Sequence, residues 1–465
     1  MDSVQIEIDE VTTIEIPQIA TSQTAISSTT KLSPFVYKNA IRTSLRASTA
    51  DSVFAAVFSM TTGGILLSNF LVELNASPVI FGMLSSIPML VNLIQPLGAY
   101  LSERTTSRFQ YSLLTFGLSR LLWLILAIGI TSTNLGKVTS EQLVVLTLLI
   151  VLFSHLLGGL GSASWLSWIG VIVPRKLRGR YFGIRNSAAS LTNLVCVPLA
   201  GFAVSHWYRG TLQGYGVVLL VGIVCGLIGL GCQYFKVDVN PQMPNSAFVK
   251  CLQKTEIQPD AESPSSPQTS NPESFWKNSN FLRFLLYFSL WMLAVNLSAP
   301  FFNFYMLDTL NLDVSWVTLY GSLQAGANLL MLILWGKLAD KIGDRPILLI
   351  IGILVAIIPL LWLGISANSL DIWLWLPLLH IFAGGTWAAI DLCNNNMQLG
   401  IAPVKNGSIY FAIVAAVGGI SGALGTTIGG FLAQFTEYGG LLGLFAFSSL
   451  IRLVALVPLI FVQER

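Results

Sequence analysis

Twelve stretches of this chain, each on the order of 20 residues and nearly free of charge, limit it to very few folds. They lie at about 51–73, 78–100, 110–132, 143–165, 187–207, 214–235, 279–302, 316–338, 346–367, 372–393, 408–432 and 439–461, and are numbered spans 1 to 12 in that order. In hydrocarbon such a segment satisfies its backbone only by bonding to itself, so each is predicted to be a bilayer-spanning helix. Composition closes the alternative. At 54% hydrophobic and 10% charged, the chain falls far below the roughly one-quarter charged residues of soluble domains. The 40 glycines need not break these helices and suit close helix–helix approach. A net charge of +3 without a dense basic run excludes nucleic acid as a partner. Cys196, Cys225, Cys232, Cys251 and Cys393 are scattered without CxxC spacing, so no disulfide frame, metal or cofactor is expected.

The first 50 residues are polar and carry Asp2, Glu7, Asp9, Glu10 and Glu15, the wrong charge for a transit peptide, and read as a cytoplasmic tail. Residues 236–278, with Pro241, Pro244, Pro259, Pro264 and Pro267 among polar residues, cannot bury a core and are expected to be a disordered linker. They separate two six-helix halves, 51–235 and 279–465. Alternating the loops puts nearly all their Lys and Arg on the side of both termini, against Lys137 and Arg209 on the other, so termini and linker are expected in the cytoplasm.

The halves echo each other. After span 4 the chain runs from Pro174 through Arg178 and Arg180 to Tyr181 and Phe182; after span 10 it runs from Pro403 to Tyr410 and Phe411 with the same step. Between spans 2 and 3, Gly98 to Arg104 is matched between spans 8 and 9 by Gly336-Lys-Leu-Ala-Asp-Lys-Ile-Gly-Asp-Arg345. Duplicated halves of this kind meet at a midplane site in transporters.

These motifs resemble the major facilitator superfamily, and the likeness runs from about residue 45 onward. Gly336, Asp340, Gly343 and Arg345 fall on that superfamily's loop signature, whereas the first-half copy keeps Gly98, Arg104 and Arg108 but has Ser102 in the acid's place, with Glu103 beside it. The resemblance implies an all-α membrane protein of two pseudo-symmetric six-helix bundles with a cavity lined by spans 1, 4, 7 and 10. It also implies a conformational latch at Gly336, Asp340, Gly343 and Arg345, with Arg104, Arg178 and Arg180 as partners; the plainer use of these cations is anchoring to anionic headgroups. Pro198 to Gly201 on span 5, and Gly418 to Gly425 with Gly429 and Gly430 on span 11, are similar to the glycine-proline motif of drug/proton antiporters, except that Val197 replaces a glycine. That similarity implies export.

Charges inside a bilayer need a partner, a wet cavity or an escape to the interface. Three stand out: Asp391 on span 10, Arg120 on span 3 and Arg452 on span 12. The arginines are expected to snorkel or to bond bundle carbonyls. Asp391 shares a helix face with His380, Gly384, Trp387, Asn394, Asn395 and Gln398, a polar stripe suited to a solute cavity or to a hydrogen-bonded seam between helices. Span 4 repeats it weakly with His155, Gly159, Ser162 and Trp165; span 8 offers Tyr320, Gln324 and Asn328; span 7 offers Tyr287, Trp291 and Asn296. Candidate solute contacts are His155, Trp165, Trp291, Gln324, Asn328, His380, Trp387, Asn394 and Gln398, with Asp391 and His380 as candidate proton carriers.

The reading is a monomeric secondary transporter of the cell membrane that moves a small neutral or singly charged organic solute, with protons as the candidate coupling ion. An uptake symporter or facilitator, and a transporter-shaped receptor or scaffold, are the alternatives. No HExxH or GxSxG motif points to an enzyme.

Overall fold

The computed structural model describes residues 34–134, 136, 138–173, 178–238, 278–401, 407–435 and 439–463. Within them every regular element is a helix. Eleven helical stretches are long and apolar enough to cross a membrane, and Pro78–Ile94 is a shorter apolar helix in the place of span 2. Span 1 is Pro34–Thr61 continued by Gly64–Glu73; span 2 is Pro78–Val91, a 3-10 turn, and Gln95–Glu103; spans 3 to 6 are Arg108–Asn134, Ser140–Ile172, Arg178–Ser205 and Thr211–Cys232. Span 7 is Ser279–Asn296 with Ala299–Phe304; spans 8 and 9 are Val314–Ile342 and Asp344–Leu361; span 10 is Leu376–Ile401 after a π-helical turn; spans 11 and 12 are Gly407–Leu432 and Gly440–Ala455.

Local chemistry sets several ends. Thr139 and Gln142 form a reciprocal capping box at the start of span 4. Asn278 accepts from the Phe281 N–H to open span 7, and Asp313 accepts from the Ser315 N–H to open span 8. Gly343, at φ +85°, makes the turn between spans 8 and 9 that a side chain would resist.

Two boundaries differ from expectation. Span 1 begins at Pro34 rather than near 51, because Ser44, Ser48 and Asp51 are buried along one helix face. Small polar residues fill that stripe, so hydropathy does not register it. The linker's first residues are also placed, since the Val237 N–H donates to Ser44 Oγ at 3.0 Å, and Asp238 accepts from the Ser107 hydroxyl and the Phe109 N–H. The rest of the linker, and residues 1–33 of the tail, lie outside the described residues.

Residues Ala40–Arg465 form one compact unit. Spans 2 and 11, and spans 5 and 8, are the main crossings between the halves, as a two-fold pseudo-symmetry requires. At the first crossing a methyl on Gly82 would stand 2.5 Å from the Thr426 carbonyl oxygen, so only glycine permits the approach. At the second, the Ser205 hydroxyl donates to Asp313 and Gly201 faces Thr318. Toward the other end of the same two helices, Ile184, Leu191, Leu330 and Ile333 are exposed. The halves are thus knit at the end bearing the span 5–6 turn.

Candidate functional site

Spans 1 and 7 hold corresponding places in the two halves, and both are interrupted midway. Span 1 breaks at Thr62 and Gly63, with Gly64 at φ +57°; span 7 breaks at Leu297 and Ser298, two residues before Pro300. Paired interruptions of this kind free backbone groups at the midplane and mark solute sites in repeat-built transporters. Each break adjoins a cavity. One, between the halves, is lined by Ser59, Gly63 and Gly64 of span 1, Asn193 of span 5, and Gly321 and Ser322 of span 8. A cleft between spans 5 and 8 adds Ser187, Ser190, Gln324 and Asn328.

The third cavity, of roughly 420 Å³, enters the second half beside the span 7 break. Its polar lining is Asn303, Gln324, Asn328, His380, Asp391 and Arg452, against the rings of Phe302, Trp362 and Trp387. Gln324 and Asn328 belong to this cavity and to the span 5–8 cleft, so the two voids share a wall.

The structure therefore brings together five of the sequence candidates: Gln324, Asn328, His380, Trp387 and Asp391. Asp391 is open to the void and makes no hydrogen bond or ion pair among the described residues. His380 is buried, its Nδ1 2.8 Å from the Leu376 carbonyl oxygen and its ring packed on Tyr320 and Trp362. Gly384 lets span 10 touch span 8 backbone to backbone at Gln324, and Gln324 and Trp387 line the same cavity.

Matches to known proteins follow this geometry. The Major Facilitator Superfamily model matches residues 52–397 and 281–465. The chain belongs to the major facilitator superfamily. An uncharacterized MFS-type transporter of Methanocaldococcus jannaschii is 25% identical over 295 residues, 62% of this chain and 67% of that protein. Among solved structures, a D-xylose-proton symporter aligns at TM-score 0.66 and 15% identity, covering 91% of this chain and 98% of its own. The nucleoside transporter NupG aligns at 0.65 and 12%, covering 90% and 100%. A bacterial homologue of the iron transporter ferroportin aligns at 0.65 and 14%, covering 92% and 99%. These likenesses show the fold. As a member of the superfamily, the protein is an integral membrane secondary transporter of small-molecule solutes by alternating access, not an enzyme.

In this superfamily member the remaining candidates lie elsewhere. Trp291 is 1% exposed and packs beside Tyr287 in the second half's interior. Asn394 is buried and accepts from the Tyr287 hydroxyl at 3.2 Å, a hydrogen bond between spans 7 and 10. His155 and Gln398 are half-buried and are not among the residues lining the three cavities. Trp165 lies under the Arg185 guanidinium at 4.4 Å. In the signature loop, Arg345 donates to the Ile460 carbonyl, and Asp344 accepts from Asn396 at 3.0 Å. Gly336 stands beside Leu392 of span 10. Arg104 donates to Tyr100 and stacks on its ring. The side chains of Asp340, Arg178 and Arg180 lie outside the described residues.

Sequence reasoning missed a charged cluster in the first half. Asp51 of span 1 meets Lys236, just past span 6, at 3.0 Å, and both are buried. Lys236 also sits 5.4 Å from the Trp168 ring. Burial pushes its ammonium below the ordinary lysine value, and the Asp51 carboxylate opposes that shift. Asp51 stands at the start of the apolar stretch of span 1, where hydropathy alone does not mark it as embedded. Arg120 donates to the Gly226 carbonyl, one of the two uses expected of it.

Proposed function

We propose that this transporter carries a small neutral or singly charged organic solute in the cavity among spans 7 to 10, with Asp391 carrying a coupling proton. One observation supports this above the others: a carboxylate without a partner among the described residues, open to a mid-span void and lining it together with Trp387, Gln324 and Asn328. A carboxylate in hydrocarbon is costly, whereas a wet cavity tolerates it in either protonation state. Asp391 fits the carrier role better than His380, which is buried with one ring nitrogen engaged.

The positive-inside bias supports cytoplasmic termini in the cell membrane, and the glycine-proline likeness of spans 5 and 11 supports export. With that orientation, the seal at Ser205 and Asp313 is the outer gate and the cleft between spans 5 and 8 faces inward. The latch role of Asp340 with Arg104, Arg178 and Arg180 rests on the loop signature.

The test is reconstitution in vesicles, with a solute panel offered under imposed pH gradients of either sign. Asp391→Asn should abolish gradient-driven accumulation and spare solute exchange. Unchanged accumulation removes Asp391 from coupling, and accumulation under the opposite gradient replaces export by uptake.

A further inference from the structure

Arg452 lies in the last turn of the Gly440–Ala455 helix, level with the break in span 7, at 1% exposure, and also lines the cavity that holds Asp391. Its Nη1 donates to the Val355 carbonyl of span 9 at 2.9 Å; its Nη2 donates to the Val295 carbonyl at 3.3 Å and to Ser298 Oγ at 2.8 Å, both at the break in span 7. All three partners are neutral. Among the described residues Arg452 makes no ion pair, and its Nε is buried without a hydrogen-bond partner. A guanidinium has five N–H donors, so two remain unspent.

Carbonyls orient such a group without neutralising it, and Asp391 on the same cavity makes no ion pair with it among the described residues, so the guanidinium is a costly unpaired cation within the bundle. Carbonyl bonding alone does not require a cation, since a neutral amide could serve the freed carbonyl at the break. What the site lacks is an anion to offset the guanidinium's charge. The first half provides the contrast: buried Lys236 has Asp51, whereas Arg452 has a cavity.

We infer that the solute is a monocarboxylate whose carboxylate pairs with Arg452 at the cavity wall, its apolar body lying against Phe302, Trp362 and Trp387. This rests on the cavity being the solute site and narrows the solute from neutral or singly charged to anionic.

The experiment uses the full chain purified in detergent and follows its thermal midpoint with about 10 mM benzoate, benzamide or benzylammonium, because a ligand that binds only the folded state raises the midpoint. Benzoate should bind about tenfold more tightly than benzamide, and benzylammonium should give no shift. Arg452→Gln should erase the preference for benzoate. Arg452→Lys, which keeps the charge but not the guanidinium's bonds to spans 7 and 9, should weaken it and serves if the glutamine variant fails to fold. Equal shifts by benzoate and benzamide, both lost in Trp387→Leu, overturn the inference and leave the cavity as solute site. No shift from any probe overturns the inference. A benzoate shift that survives both Arg452→Gln and Trp387→Leu removes the inference and the cavity reading together.

Discussion

Alanine at Gly384 should damage this protein far more than alanine at Gly385. Spans 8 and 10 cross with their backbones touching at Gly384, where a methyl would stand 2.1 Å from the Gln324 carbonyl oxygen and 2.9 Å from its carbon. Carbon–oxygen contacts stop near 3 Å, so span 8 must retreat by about 1 Å. Overpacking costs about 1–3 kcal/mol, and the upper end applies here because the obstructing atom is main chain. Alanine's better helix propensity returns about 1 kcal/mol at most. At Gly385 the methyl would meet only the Met331 Cγ, at 3.4 Å, so the propensity gain should make that change neutral or slightly stabilising. The assay is the thermal midpoint of both variants in one detergent, beside solute accumulation in vesicles. Gly384→Ala should unfold a few degrees earlier and lose transport, because the retreat of span 8 carries Gln324 away from Trp387. Equal midpoints and equal transport in the two variants would refute the close crossing and the alignment of the cavity derived from it.

Asp51→Asn leaves the Lys236 ammonium buried without its partner and should cost about 3–5 kcal/mol, with most of the loss recovered when Lys236→Met is added; equal losses in single and double variants, by thermal unfolding, would contradict the pairing. Asp313 lies outside the spans: burial pushes its carboxyl up, but hydrogen bonds from Ser205 and Ser315, with His206 nearby, outweigh this and hold it below 3.8. A depressed folded-state value means that its contribution to the span 5–8 seal is complete above 3.8 and lost as pH falls through the depressed value. Ser205→Ala removes one of the lowering bonds, so a fluorophore pair across the seal should report opening at higher pH in that variant; an unchanged pH profile would count against it.

The twelve apolar stretches and the loop signature were legible because both are local patterns, one of length and hydropathy and one of spacing. The stripe on span 10 was legible in part. His380, Trp387 and Asp391 share the cavity wall, but Asn394, two turns beyond Trp387 and on nearly the same line, meets Tyr287 of span 7 instead of the void. Helical spacing shows which residues share a face and not which neighbour that face meets: Trp291 lies in the packed interior, and Trp165 is half-buried under the Arg185 guanidinium. Arg452 was expected to bond carbonyls and does; its place on the cavity wall depends on the break in span 7, which no local pattern in span 12 records. Asp51 escaped notice because serines, not apolar residues, carry the start of span 1 into the bundle.

Alternating exposure of one cavity by two rocking bundles is the claim on which the rest depends. It is tested most directly by spin-label distances in a cysteine-free background reconstituted in bilayers, with one pair at Tyr208 and Asn311 beside the seal and another at Ile184 and Ile333 at the opposite end of spans 5 and 8. The account predicts two populations that exchange in opposition: the first pair separates as the second closes, and an imposed pH gradient shifts their ratio. A single unchanging distance at both ends in vesicles that still transport solute would contradict it.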